Sequence, residues 1–275
     1  MKLIDFDSRF AQYLRGWMAA HEDDYKDPED MERDVPDVYE RFLDTPAEWL
    51  DGQKPGEYFG QWDDPALLVN WLKAYLAGKV SVPDMLLNRL AALGEAAAPH
   101  VLALLDESDA TGEKKMLAVT LLREMDSPLP LQRYVDWQCG RADLDDLCDS
   151  ALESLEQQAD AIRPQMLDAL MGATPAGREA LLSVLCRQPG DPRVLEELLR
   201  LFGERPERRA ILAAYLGRLG DPEALPDLLA AANEDGLKYL DYIEIRSAIE
   251  SLGGEPPERE FFEDAEYDAL FGAQR

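Results

Sequence analysis

The sequence predicts an all-α chain built from stacked helical hairpins, and three observations carry that prediction. Pro99, Pro130, Pro164, Leu195 and Pro226 each open a short apolar helical pattern, at intervals of 31, 34, 31 and 31 residues. Repeats of this period with two helices apiece form arrays in which no unit covers its apolar face until a neighbour packs on it. Seven dipeptides, Asp27-Pro28, Thr45-Pro46, Asp64-Pro65, Ser127-Pro128, Thr174-Pro175, Asp191-Pro192 and Asp221-Pro222, set a capping side chain before a proline. That pairing suits a helix start, where the cap oxygen accepts an otherwise orphaned N–H and proline has none to lose. No run alternates apolar and polar residues with period two between hairpin-turn signals, as a sheet would require.

Taken from the start, residues 1–64 read as an aromatic-rich helical cap with an acidic linker. Four of the five tryptophans, Trp17, Trp49, Trp62 and Trp71, lie in the first 71 residues. Large aromatic side chains are mostly core, so covering the open end of the first hairpin is the preferred reading. The alternative is a pocket built from Trp49, Tyr58, Phe59 and Trp62 for a small molecule or peptide. Thr45 with Glu48 has the form of a capping box, and Asp64-Pro65 opens the stripe Leu67, Leu68, Trp71, Leu72, Tyr75 and Leu76.

Residues 65–254 form the predicted repeat region. Leu144, Leu147, Cys148, Ala151, Leu152 and Leu155 make one helical stripe, and Leu181, Leu182, Leu185 and Cys186 another. Leu131, Tyr134 and Val135 align with their counterparts if the register slides by one or two residues. The clearest unit spans residues 208–229, where Ile211, Leu212, Tyr215, Leu216 and Leu219 share one face, Gly220 ends the helix and Asp221 caps the next. Residues 255–275 are an acidic tail or cap. The register places another helix start at Pro257, and Phe261, Phe262, Ala265, Ala269 and Leu270 would form its apolar stripe, packing on the helix from Tyr239 to Leu252. The competing expectation is a mobile acidic-hydrophobic peptide that binds a partner in trans.

The string Arg209, Ala213, Leu216, Gly217, Leu219, Gly220, Asp221, Pro222, Leu225, Pro226 and Leu228 resembles a HEAT-like repeat of the phycobilisome bilin-lyase type. Ile245, Arg246, Ala248, Ile249, Leu252 and Gly253 repeat its first-helix half, and Leu93, Gly94, Ala98, Pro99, Val101 and Leu102 its junction. The resemblance spans roughly residues 83–254, and between 112 and 203 it rests on period and apolar spacing. It implies an α-α superhelix whose second helices line a concave face. On that basis His100, Tyr134, Trp137, Gln165, Asp168, Glu196, Arg200 and Asp227 are candidate partner contacts. It also implies an association with tetrapyrrole attachment or removal, although a shared repeat does not transfer chemistry.

Composition narrows the function. The 275 residues carry 56 Asp and Glu against 28 Lys and Arg, a net charge of −28. Residues 22–37 hold nine acids against Lys26 and Arg33, and the stretch from Glu255 holds seven against Arg259 and Arg275. Such a field repels a phosphate backbone, so nucleic acid is not an expected partner, and a basic protein suits it better. Arg200, Arg205, Arg208 and Arg209 form one modest basic cluster, diluted by Glu204 and Glu207 and read as a solvated helix end with local ion pairs. The acidic run at 22–37 lacks the glycine and alternating ligands of an EF-hand.

No phosphate-binding glycine loop, nucleophile elbow or H-E-x-x-H motif occurs. His21 and His100 are the only histidines, and His100 falls in the first turn of a helix, where a solvent-facing role outweighs general-base chemistry. Asp145 and Asp146 are adjacent in the chain and point apart on a helix. Cys139, Cys148 and Cys186 lack metal or redox spacing and read as free thiols. No segment has the ~18 uninterrupted apolar residues of a membrane span, and the first residues show no secretory signal, so the cytoplasm is the expected location. The resulting expectation is a non-catalytic interaction scaffold with no cofactor and no metal. An enzyme-associated subunit, or a regulatory subunit holding a small ligand in the N-terminal aromatic region, is the alternative.

Overall fold

The computed structural model describes residues 2–25, 27–78, 80–108, 110–261, 264 and 267. Among them the chain is all-α, with no strand and a lone bridge between Ala47 and Gln53. It divides into two compact units, residues 1–130 and 131–275.

The first unit contains α1 (Phe6–Ala20), α2 (Pro28–Arg33), α3 (Val35–Asp44), α4 (Pro65–Ala77), α5 (Asp84–Leu93), α6 (Ala98–Leu102) and α7 (Gly112–Glu124). Phe6, Phe42, Phe59, Trp71 and Tyr75 belong to its core. Phe59 is 0% exposed and lies edge-on to Trp71 and Tyr75 of α4, while Phe6 meets Trp49, Tyr58 and Phe59. The Tyr75 hydroxyl accepts from the Ile4 N–H at 3.2 Å and donates to the Ile4 carbonyl at 3.0 Å, tying the N-terminal segment to α4. Trp49, Tyr58, Phe59 and Trp62 do not line one pocket together: Phe59 is fully covered, and of the four it is Trp49 that borders a cleft of this unit. In the same unit the Glu107 carboxylate joins Lys73 of α4 to Lys114 of α7.

Asp27, Asp64, Thr174, Asp191 and Asp221 cap helices as their sequence context predicts, each accepting from a backbone N–H in the following turn. Two of the seven pairs behave otherwise. Thr45 turns its hydroxyl back to the Arg41 carbonyl at 2.6 Å, closing the end of α3, so no capping box with Glu48 forms. Ser127-Pro128 lies in a turn, with Asp126 at a φ of 51°, and the next helix waits until Leu131.

The second unit contains α8 (Leu131–Gly140), α9 (Asp146–Gln157), α10 (Ala159–Ala169), α11 (Pro175–Leu185), α12 (Pro192–Glu204), α13 (Arg209–Leu219), α14 (Leu225–Ala232) and α15 (Tyr239–Ser251). Neighbours in sequence pack on one another: α8 on α9, α10 on α11, α11 on α12, α12 on α13 and α14 on α15. The longer steps are α8 against α10 and α11, and α13 against α15. Leu181, Leu182, Leu185 and Cys186 are fully covered, as are Leu212 and Leu216. Gly220 ends α13 at a φ of 73°, a left-handed conformation that glycine adopts without a Cβ penalty.

The periodic prolines differ in their local roles. Pro99 and Pro226 occupy first turns, whereas Pro164 lies inside α10, where its missing N–H removes the bond to the carbonyl of Asp160. Leu195 is the fourth residue of α12, whose start is set instead by Asp191 and Pro192. The register does not continue to Pro257, since residues 254–261 are non-helical. Phe261 nevertheless packs on Tyr239 and Tyr242 at ring separations of 5.1 and 5.2 Å, and the Tyr242 hydroxyl donates to the Pro257 carbonyl at 2.6 Å. Phe262, Ala265, Ala269 and Leu270 of the expected stripe lie outside the described residues.

Candidate functional site

The second unit carries a trough of ≈ 410 Å³, continuous in its lining with a shallower one of ≈ 540 Å³ through Arg141, Asp143, Ala176 and Arg205. Its position follows from one close helix approach. The Thr174 N–H donates to the Cys139 carbonyl at 2.9 Å, and the Thr174 hydroxyl donates to the Arg141 carbonyl at 3.0 Å, which seats the start of α11 on the end of α8. The same hydroxyl accepts from the Gly177 N–H at 3.1 Å and so caps α11. Only glycine fits at 177, because a Cβ there would stand 2.1 Å from the Gln138 carbonyl oxygen.

Five arginines surround the trough, and each is ion-paired. Arg141 donates to Gln138 Oε1 at 3.0 Å and to Asp149 Oδ1 at 2.5 Å, while the Gln138 amide donates to the Cys148 carbonyl at 2.7 Å. Glu197 of α12, 3% exposed, receives Arg178 of α11 at 3.1 Å and Arg200 at 2.5 and 2.8 Å. Glu179 of α11, 8% exposed, receives Arg205 at 3.2 Å and Arg208 through both its oxygens. The adjacent residues Arg178 and Glu179 thus clamp α11 to α12 and to the segment that follows it, with opposite charges running in each direction. Buried carboxylates persist as ions only when paired in this way.

The electrostatics follow from that pairing. The Arg200 guanidinium beside Glu197 is the main cause holding that carboxyl below its ordinary range, with Arg178 adding to it against the opposing effect of burial. Arg200 is raised by the same contact, and Arg208 by Glu179. The deeper trough is lined by Arg141, Arg205 and Arg208 against Asp143, Asp149 and Glu179, three charges of each sign, so it is locally neutral on a chain of net charge −28. Leu144, 95% exposed, projects at its edge. The sequence pattern places Leu144 in an apolar stripe, but α9 begins only at Asp146, capped by Asp145, and leaves Leu144 in the preceding loop.

This arrangement suits binding better than proton transfer. Glu197 is an ionised acceptor already occupied by two guanidinium groups. Ser183 in the trough wall donates to the Ala180 carbonyl at 2.7 Å, and both histidines belong to the other unit. Cys148 is buried and its thiol is pushed up to about 12, chiefly by desolvation, so it is no nucleophile at neutral pH. Burial likewise raises Cys139 and Cys186. Among the described residues, no group of three or more His, Cys, Asp or Glu side chains could hold a metal ion.

The eight sequence-nominated contacts do not converge. Arg200 lines the shallower trough. Tyr134 is 0% exposed, because α9, α10 and α11 all cover α8, and the half-buried Trp137 lies against it at 5.4 Å. Tyr134 is therefore core and not a partner contact, contrary to the expectation from helix order. His100, Gln165, Glu196 and Asp227 are exposed but line no cavity described here, and Asp168 is exposed and pairs with Arg193 at 3.5 Å. Local ion pairs at the arginine cluster do form, Arg200 with Glu204 and Arg205 with Glu207. The dominant partners are Glu179 and Glu197, neither of which is among the sequence-derived candidates. The i, i+3 spacing of Glu197 and Arg200 was the available signal for one of them, while Glu179 lies 26 residues from Arg205 and offers none.

Comparison of the chain with protein families, with curated proteins and with solved structures returns no match.

Proposed function

We propose that this protein is a non-catalytic adaptor of HEAT-like repeat type that holds another protein against the trough of its second unit. The observation that carries this reading is Leu144, 95% exposed at the edge of a trough whose arginines are all held in ion pairs. A rigid, locally neutral groove with an exposed apolar anchor costs little ordering entropy on association, which favours a stable interface. The helix-hairpin period and the Gly220-Asp221-Pro222 junction support the repeat assignment, and the net charge of −28 steers a basic partner while disfavouring nucleic acid. Free, buried Cys148 and Cys186 suit a reducing compartment, which supports a cytoplasmic location.

The test is affinity capture from native extract with the wild-type chain, Leu144→Glu, and Met18→Glu as a control on the first unit. A partner retained by wild type and Met18→Glu and lost by Leu144→Glu, with unchanged melting, supports the proposal. Equal retention by all three would overturn the assignment to this trough.

A further inference from the structure

The first unit has a separate cleft of ≈ 330 Å³, walled by α1, the end of α3 and the 45–55 segment. This volume lies at the small end of the range for ligand sites, about 300–1,000 Å³. Three rings line it in a row. Tyr13 meets Phe42 at 5.5 Å, and Phe42 lies near-parallel to Trp49 at 6.5 Å with a 19° interplanar angle. Phe42 is buried and forms the floor, while the half-buried Tyr13 and Trp49 carry the strip out to solvent.

At this cleft neither charged side chain is ion-paired, whereas every arginine lining the second-unit trough is. The Arg9 guanidinium lies 5.0 Å over the Trp49 ring, a cation–π contact that positions it without neutralising it. Among the described residues, neither Arg9 nor Glu48 forms an ion pair, although both line the same cleft. The Gln12 amide adds a neutral donor and acceptor on the α1 wall. A cation and an anion that share a cleft without joining each other are complementary to a ligand bearing both charges.

We propose that this cleft binds a zwitterion with a flat apolar body, of the chemistry of an aromatic amino acid. The ligand carboxylate takes two N–H bonds from Arg9, its ammonium donates to Glu48, and its ring stacks on the Tyr13–Phe42–Trp49 strip. The site belongs to a different unit from the proposed protein-binding trough, so either proposal can fail without the other.

Calorimetric titration of the full chain with L-tryptophan, indole-3-propionate and tryptamine separates the three contributions. The expected result is saturable binding of tryptophan, with each analogue, lacking one charge, about tenfold weaker. Arg9→Gln then makes tryptophan and tryptamine equivalent, and Glu48→Gln does the same for tryptophan and indole-3-propionate. Both side chains are exposed, and an unchanged melt confirms that each variant is folded. Absence of saturation with tryptophan, equal affinity for all three compounds, or an unaltered ranking in both folded variants would each overturn the proposal.

Discussion

Replacing Gly177 by alanine tests the helix approach on which the second-unit trough depends. The added Cβ would stand 2.1 Å from the Gln138 carbonyl oxygen and 3.1 Å from its carbon, whereas ordinary contact begins at 3.4 Å, so relief requires a backbone shift of about 1.3 Å. The two closest obstructing atoms are main chain and cannot swing away as a side chain would. Two hydrogen bonds from Thr174, to the Cys139 and Arg141 carbonyls, resist the separation. Overpacking costs ~1–3 kcal/mol, and main-chain obstruction places this case at the upper end. Improved helix propensity offsets up to ~1 kcal/mol, leaving a net loss of about 2 kcal/mol and a fall in Tm of about 4–8 °C. Gly203→Ala is the matched control: it lies in α12 with nothing within 4 Å of the added Cβ, so Tm should hold or rise. Thermal unfolding by circular dichroism measures both. A Gly177→Ala melt at or above wild type would refute the close approach of α8 and α11.

Acid sensitivity should report on Glu197. Its folded carboxyl lies below the ordinary 4.5, so its stabilisation is fully present above that value and is lost as pH falls through the lower folded one. Glu197→Gln should lower Tm at neutral pH and flatten the Tm-versus-pH curve below about 4.5, and an unchanged slope would show that the network does not contribute. Tyr134→Ala should cost about 3–5 kcal/mol of stability in denaturant unfolding, as expected of a fully buried ring; a loss under 1 kcal/mol would place the ring at the surface. Iodoacetamide at mildly alkaline pH should label half-buried Cys139 ahead of Cys148 and Cys186, read by mass spectrometry, and rapid labelling of Cys148 would contradict its raised thiol. Truncation after Gly254 removes the Phe261 ring from Tyr239 and Tyr242 and the Arg259 donor from the Ala232 carbonyl, so Tm should fall. An unchanged melt would mean that the acidic end does not stabilise the last helices.

Features that depend on a few consecutive residues were legible without coordinates. Asp64 before Pro65, Asp191 before Pro192 and Gly220 after Leu219 mark real helix ends, because capping and left-handed backbone are decided within one turn. The same reasoning failed at Thr45, whose hydroxyl had two carbonyl-bearing or N–H-bearing neighbours to choose between and took the preceding helix. It also failed at Tyr134, where a helical stripe records that one face is covered but not which neighbours cover the rest.

The candidate sites belong to the second kind of information. Arg178 and Glu179 are adjacent, yet their partners Glu197, Arg205 and Arg208 arrive from elements 19 to 29 residues away. Arg9 meets Trp49 across forty residues of chain by the packing of α1 against α3 and the segment beyond it. Local sequence settles helix, cap and turn because the hydrogen bonds involved close over three or four residues. Which charges become neighbours depends on how helices cross, a property of apolar surfaces packing at distances that no short window of residues contains.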